Sequence, residues 1–561
     1  MINKEFFLKP LLWVFLLFVV LRSFLVDFGL PFHLHADEIY ILKDPFKLID
    51  NFSHFSFDAP MNIPYYIHLI WYGILFVFGL ALSIWKDLEE FKGHLALETP
   101  LIMIWGRILS LILSTLAACV LYALIRKITK VKWIQIIGLI TLMYNPFELI
   151  SNIWIKYDPY VYLVFCILLF YVYSYVVLKD LSLKKKLYIW MFLSLTVRID
   201  LIIVLIAVGL YDVGKLTIKN VLFYVQSNWK LILIGTLTYS LITLLPIVFI
   251  HNLIYGQVGG HEIVKPFWEV IITKILAHGS GGTFLKEIGV KIYYYFIQYF
   301  LICLGPICFY YFFKGSFRRE YLRPFFIMFC INSLFLIIMP FHTSHYFLLN
   351  STIVIIVTII ELTESQRRYV KVIALGNAVY IVSLSFVIYF GLFTTVDSRI
   401  LARNYVMGNS GINDLIGVED HILPGKSVPI NEKPSVLLAK AAYTLENGLG
   451  TGLSYKKKAE NVSIEDSRFV LGICKNYDWS EIGLQNKWFC KYSNLEYLDT
   501  VGLDFIVTTT DYDTLQLSEY GSFLNQNFRL NKTFEHKFLD PRVEIMTHNE
   551  WFLNPTFIWR K

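Results

Sequence analysis

From the amino terminus to about Thr394 the chain is a succession of apolar runs. Many are close to the length of a bilayer crossing, and short loops between them carry basic residues. A helix needs about 20 mostly apolar residues to cross a hydrocarbon core about 30 Å thick. Lipid offers no partners for backbone N–H and C=O groups, so such runs are committed to helix. The composition agrees: 56% of residues are hydrophobic, only 17% are charged, and 17% are aromatic. The last figure suits interfacial belts of Tyr and Phe. A chain this apolar is excluded as a soluble enzyme. Its net charge of +7 sits on clusters between apolar runs, which reads as membrane orientation and speaks against nucleic acid as a partner. The first run, Pro10 to about Phe28, lacks a small-residue cleavage site and reads as a retained helix.

The basic clusters predict a topology. They are Lys4/Lys9, Arg126-Lys127/Lys130/Lys132, Lys184-Lys185-Lys186, Lys215/Lys219, Arg318-Arg319/Arg323 and Arg367-Arg368/Lys371, and all should face the cytoplasm. Two segments are ambiguous. Ile63 to Trp85 is apolar enough to span, but spanning would put the Arg126 cluster outside, so it reads as a juxtamembrane or re-entrant helix. Leu187 to Tyr211 is interrupted by Arg198 and Asp200, and a hairpin of two half-helices turning near Arg198 keeps the later loops in order. The expectation is eleven membrane segments, at about 10–28, 99–122, 133–154, 159–178, 187–199, 201–213, 230–250, 291–313, 324–340, 345–361 and 372–394. The amino terminus would then be cytoplasmic in a multi-pass cell (inner or plasma) membrane.

After Thr394 polar residues, turn signals and short alternating stretches such as Phe505-Ile506-Val507-Thr508-Thr509 dominate. The fold class is therefore a polytopic α-helical membrane domain, 1–394, followed by an extracytoplasmic soluble α/β domain, 395–561. The first outer loop is 29–98. Of seven cysteines, five lie in apolar runs, while Cys474 and Cys490 lie in the polar region and suggest a disulfide if it faces an oxidising compartment.

This topology collects the unusual polar residues on one face. Asp37, Glu38 and Asp58 fall in the first outer loop, Lys156 and Asp158 in the second. His251, His261, Glu262 and Lys265 fall in the third, His342 and His345 in the fourth. An acidic pair beside the bilayer is costly to keep there without a task. Asp37 suits a general base, because an apolar wall raises a carboxylate's proton affinity. It equally suits an N-cap for the stretch Ile39, Leu42, Phe46, Ile49. Asp58 and Asp158, with His261, are candidate ligands for a divalent metal, Mg²⁺ or Mn²⁺ for oxygen donors and Zn²⁺ if histidine joins. Asp158 before Pro159 fits a helix start as well. Arg107 and Lys156, at outer helix ends, could hold a lipid phosphate; snorkelling accounts equally for Lys156. His342 and His345 are candidates for phosphate or metal contact. Gly279-Ser280-Gly281-Gly282 carries no phosphate-loop pattern and reads as a flexible loop or lid.

The order of these short motifs resembles the GT-C superfamily of polyprenyl-phosphate-sugar-dependent glycosyltransferases, within it the protein O-mannosyltransferases and lipid A aminoarabinose transferases. The resemblance rests on Asp37-Glu38-Ile39-Tyr40, Asp58-Ala59-Pro60 followed by Tyr65-Tyr66, Arg107 with Ser110, Asp158-Pro159, His345-Tyr346 and the terminal Pro555-Thr556-Phe557-Ile558-Trp559-Arg560. It covers about the first 390 residues. Two departures stand out: the late basic residue is His345 and not Arg or Lys, and Arg198 stands where relatives often have a Thr-Lys step.

The resemblance implies an inverting glycosyltransferase with a lipid-linked donor. Asp37, with Glu38, would be catalytic. Arg107, Lys156, His342, His345 and Tyr40 would contact substrate or phosphate, and Asp58, Asp158 and His261 would hold any metal. The acceptor would be a glycan, lipid or protein hydroxyl on the outer face. Two readings compete: a transporter or flippase of lipid-linked saccharides, though such proteins usually show repeated halves and no internal repeat is evident, and a structural or assembly protein whose outer domain binds a partner.

Overall fold

The computed structural model describes residues 4–28, 30, 38, 42, 62–97, 99–214, 217–243, 284–338, 344–364, 368–394, 397–419, 428–446, 452–474, 489–491, 495–509, 518–534, 542 and 556–561. The chain divides into two compact units. Met1–Val26, Asp44–Tyr72 and Gly106–Phe390 form the first, and Asp27–Lys43, Gly73–Trp105 and Gly391–Lys561 the second.

The first unit is helical. Its helices are α1 (Lys4–Ser23), the first half of α2 (Asn62–Ala81), most of α4 (Pro100–Ile128), α5 (Lys132–Met143), α6 (Pro146–Asn152), α7 (Asp158–Val172), α8 (Lys184–Leu195), α9 (Ile202–Val213), α10 (Ile218–Thr243), α11 (Phe284–Ile292), α12 (Pro306–Arg318), α13 (Arg323–Ile338), α14 (Leu348–Glu364) and most of α15 (Arg368–Thr394); α3 (Leu88–Ala96) belongs to the second unit. Among the described residues six helices are long and apolar enough to cross a membrane, or eight if each of two bent pairs is one crossing. The protein is thus a multi-pass helical membrane protein.

Three interruptions divide the apolar runs among the described residues. The pair α8 and α9 is broken at Thr196–Leu201, where the sequence predicts an interruption, and each half has 12 residues. That is about 18 Å of helix, short of a hydrocarbon core about 30 Å thick. The run 133–154 bends by 44° between α5 and α6, where Asn145 caps a new helix by accepting the Phe147 N–H and Pro146 opens it. The run 291–313, expected as one membrane segment, is bent within its length. A π-helix, Tyr293–Cys303, continues α11 and meets α12 at 106°. Gly305 takes a positive φ of 86° at this joint, and a Cβ there would sit 3.0 Å from Asn377 Oδ1. The Tyr380 hydroxyl donates to the Ile302 carbonyl at 2.6 Å, satisfying a group the bend leaves open. The apolar helix α2, read from sequence as interfacial, carries no Asp, Glu, Lys or Arg and is long enough to span.

Polar side chains tie the helices where lipid offers no water. Asn332 Nδ2 donates to Asn350 Oδ1 at 3.0 Å, Asn350 Nδ2 to Ser333 Oγ at 2.9 Å, and Asn145 Nδ2 to Ser351 Oγ at 2.8 Å.

In the second unit α16 (Ser398–Asn409), β1 (Leu415–Glu419), α17 (Pro434–Glu446), α18 (Gly452–Asn461), β2 (Phe469–Cys474), β3 (Phe489–Lys491), α19 (Leu495–Val501), β4 (Phe505–Thr508), α20 (Glu519–Asn527), β5 (Arg529–Phe534) and β6 (Thr556–Arg560) follow in order. The sheet runs β3-β2-β1-β4-β6-β5, with the first four strands parallel and β6 antiparallel to both neighbours. Alternate residues feed two cores. Ile506, Phe557 and Trp559 join Leu498, Phe523 and Leu524 on one face, while Phe505, Val507 and Ile558 join Ala402 and Val406 on the other. Both faces are covered, so β4 reads as a continuous apolar run. The register sets Cys490 opposite Ile473 and not opposite Cys474; the side chains of both cysteines lie outside the described residues. The helix α3 packs against α18 within this unit.

Candidate functional site

Asp37, Tyr40, Asp58, His261 and His342 lie outside the described residues. Glu38 is buried and belongs to the second unit. Arg107, Lys156, Asp158 and His345 all fall in the first unit, around one loop.

That loop is Ile153–Tyr157, between α6 and α7, and every residue in it is buried. It ends where it does because Pro159, at the first turn of α7, needs no N–H partner. It lies flat on α4 because α4 offers it Gly106, where a Cβ would run into the Ile155 side chain and the Tyr72 hydroxyl. One turn on, Ser110 Oγ donates to the Trp154 carbonyl at 2.7 Å. Between them Arg107, 1% exposed, lies over the Trp154 ring at 5.1 Å and donates from Nη1 to the Val26 carbonyl at 3.0 Å. Arg107 therefore links the loop to the turn that follows α1.

The charges concentrate at the loop's end. Asp158 accepts Arg198 Nη1 at 2.7 Å, and Arg198 also grips Asp200, with Nε 2.9 Å from each carboxylate oxygen. The break between α8 and α9 thus delivers one guanidinium to two carboxylates. Lys156 and His345 lie within electrostatic reach of the same Asp158 carboxylate. His345 sits in the turn Ser344–Phe347, and its carbonyl faces Ser151 Oγ at 3.4 Å. Lys156 is 2% exposed, and its Nζ makes no hydrogen bond among the described residues. A buried ammonium without hydrogen bonds costs several kcal/mol. Lys156 and Arg198 here face the two carboxylates Asp158 and Asp200, and of these four groups only the Lys156 Nζ makes no hydrogen bond among the described residues. Such a locus is chemically suited to an anion.

An aromatic wall closes one side. The His68 ring on α2 meets Tyr72, Tyr157 and Tyr160 at 6.2, 6.3 and 5.5 Å, and Tyr65 meets Tyr157 edge-on at 5.5 Å. His68 Nδ1 and the Tyr160 hydroxyl are buried and make no hydrogen bond among the described residues. Tyr65, His68 and Tyr72 recur at helical spacing, a signal that could have placed His68 on this face. A second buried charge pair, Arg22 with Glu148, also went unread in the sequence. Arg22 donates to the Leu149 carbonyl at 3.0 Å and pairs with the Glu148 carboxylate, tying α1 to α6. Among the described residues no group of three His, Cys, Asp or Glu side chains could hold a metal ion.

No protein-family model matches the chain, and none of the curated proteins matches it. Fold and site define a class only: a multi-pass helical membrane protein with a C-terminal α/β sheet and, in its helical unit, a buried loop that ends in a cluster of charged side chains.

Proposed function

We propose that the protein is an inverting GT-C-type glycosyltransferase that moves a sugar from a polyprenyl-phosphate donor to an acceptor hydroxyl on the outer face. The observation that carries this reading is the buried Lys156 ammonium with its donors unused, beside a carboxylate already held by Arg198. Lys156 would donate to the donor phosphate, and Arg107 and His345 would add to the positive potential there. Asp37, with Glu38 beside it in sequence, would accept the acceptor's hydroxyl proton. The acceptor oxygen forms its bond to the anomeric carbon as the carbon–oxygen bond to phosphate breaks. Polyprenyl phosphate leaves with the electron pair, and the anomeric centre inverts. The amino terminus is cytoplasmic and the C-terminal domain extracytoplasmic in this reading. Its eleven membrane segments count the half-helices α8 and α9 separately.

The test is transfer itself. The purified protein in nanodiscs is given a panel of radiolabelled polyprenyl-phosphate sugars with an extract of envelope acceptors. Wild type should release polyprenyl phosphate and label an acceptor, and Lys156→Met should not. Equal labelling by both removes the role given to Lys156.

The broken helices favour one alternative, a transporter or flippase of lipid-linked saccharides, since discontinuous helices line transport sites. It predicts movement of the intact lipid-linked sugar between leaflets with no new glycosidic bond.

A further inference from the structure

Arg198 grips two carboxylates, yet the group left able to bind an anion is a different one, Lys156. We infer that Arg198 is a positioning residue: its guanidinium neutralises Asp158 and so weakens the carboxylate's hold on the Lys156 ammonium, which stays available for a phosphate. The inference rests on the phosphate reading of Lys156 above and adds how that site is kept open.

The geometry carries it. Asp158 and Lys156 are two residues apart, on either side of Tyr157 at the start of α7, and the ammonium is within electrostatic reach of the carboxylate. An ion pair between them is the obvious local arrangement. Instead Asp158 Oδ1 receives Arg198 Nη1 at 2.7 Å, and the Lys156 Nζ makes no hydrogen bond among the described residues. Arg198 is itself anchored through Nε and Nη2 to Asp200, with Nη2 2.7 Å from Oδ2. All three side chains are largely buried, with relative exposures of 17%, 12% and 10% for Arg198, Asp158 and Asp200. Their charges are therefore poorly screened by solvent. A planar guanidinium can bridge two carboxylates at once, which a lysine ammonium does less well. The α8/α9 break brings the Arg198 backbone to the mouth of α7, which gives the interruption a chemical purpose as well as a topological one.

Removing Arg198 should leave Asp158 unpaired. The Lys156 ammonium then turns to it, and phosphate binding is lost although Lys156 remains. Removing the carboxylates as well should give the ammonium back. A purely structural role for the bridge predicts the opposite, since each further substitution only strips another contact from the break.

The experiment measures binding of farnesyl phosphate, with farnesol as the uncharged control, to full-length protein in nanodiscs. Wild type should prefer the phosphate, and Lys156→Met should lose that preference. Arg198→Met should weaken farnesyl phosphate binding about ten- to hundredfold, the value of a charge-assisted contact, and leave farnesol unchanged. The triple variant Arg198→Met, Asp158→Asn, Asp200→Asn should regain wild-type preference. Asp158→Asn alone, which keeps the Arg198–Asp200 contact and guards against misfolding of the others, should bind farnesyl phosphate at least as tightly as wild type. Unchanged binding in Arg198→Met, or a folded triple variant as weak as Arg198→Met, overturns the inference. A phosphate preference that survives Lys156→Met instead overturns the phosphate reading beneath it, so the two failures are distinguishable.

Discussion

The pair Arg22–Glu148 permits a quantitative prediction that depends on the fold and not on the function. Both side chains are almost fully buried, at 7% and 2% exposure. Arg22 also donates to the Leu149 carbonyl at 3.0 Å, and Asn152 Nδ2 donates to Glu148 Oε1 at 3.0 Å. Glu148→Leu leaves the guanidinium buried without a counter-charge, which costs about 3–5 kcal/mol, and releases Asn152, adding about 1 kcal/mol. Arg22→Leu strands the carboxylate and should cost a similar amount. The double variant removes both charges together, and apolar replacement of a whole buried pair is often neutral or better. It should therefore be more stable than either single variant, with a coupling energy of at least about 3 kcal/mol. Reversible unfolding of all four proteins in mixed micelles measures the cycle. Additive losses, with the double variant the weakest, would refute a direct buried pair between α1 and α6.

Three further outcomes follow from particular contacts. The Trp85 ring covers Gly79, with Nε1 donating to the Phe76 carbonyl at 2.9 Å; Gly79→Val should cost about 1–3 kcal/mol by overpacking and shift the Trp85 fluorescence, and an unchanged melting temperature and spectrum would contradict that packing. For topology, a cysteine at Ile464, 65% exposed in the second unit, should react with an impermeant thiol reagent in intact cells and one at Ser182 should not; labelling at 182 without lysis removes the proposed orientation. Chelation decides between the metal-free site proposed above and a metal at Asp58, Asp158 and His261: the proposed site keeps full turnover after chelation, whereas loss of transfer restored by Mg²⁺, Mn²⁺ or Zn²⁺ would assign the metal.

The sequence carried the membrane class, the interruption near Arg198 and the helix start at Asp158-Pro159, because each depends on local chemistry: apolar length, charge inside an apolar run, and a missing N–H. The bend at Gly305 was not legible. Residues 293–303 are uniformly aromatic and apolar, and the bend is held by Asn377 and Tyr380, more than 70 positions later. Arg107 was legible as a candidate cation, but its contacts with the Trp154 ring and the Val26 carbonyl, set by tertiary packing, were not. Glu148 offered no pattern that points 126 residues back to Arg22. The strand order β3-β2-β1-β4-β6-β5 likewise depends on long-range pairing that no window of sequence contains. Lys156 was legible as a candidate, but its burial without a hydrogen bond was not.

The central claim is chemical transfer with Asp37 as base, and turnover of Asp37→Asn tests it most directly. Asparagine keeps the size of the side chain and its ability to cap a helix while removing the proton acceptor. With a radiolabelled polyprenyl-phosphate sugar that wild type accepts, turnover should fall by about 10²–10⁴, the contribution of a general base, while donor binding changes little. Near-normal turnover in Asp37→Asn would contradict the account.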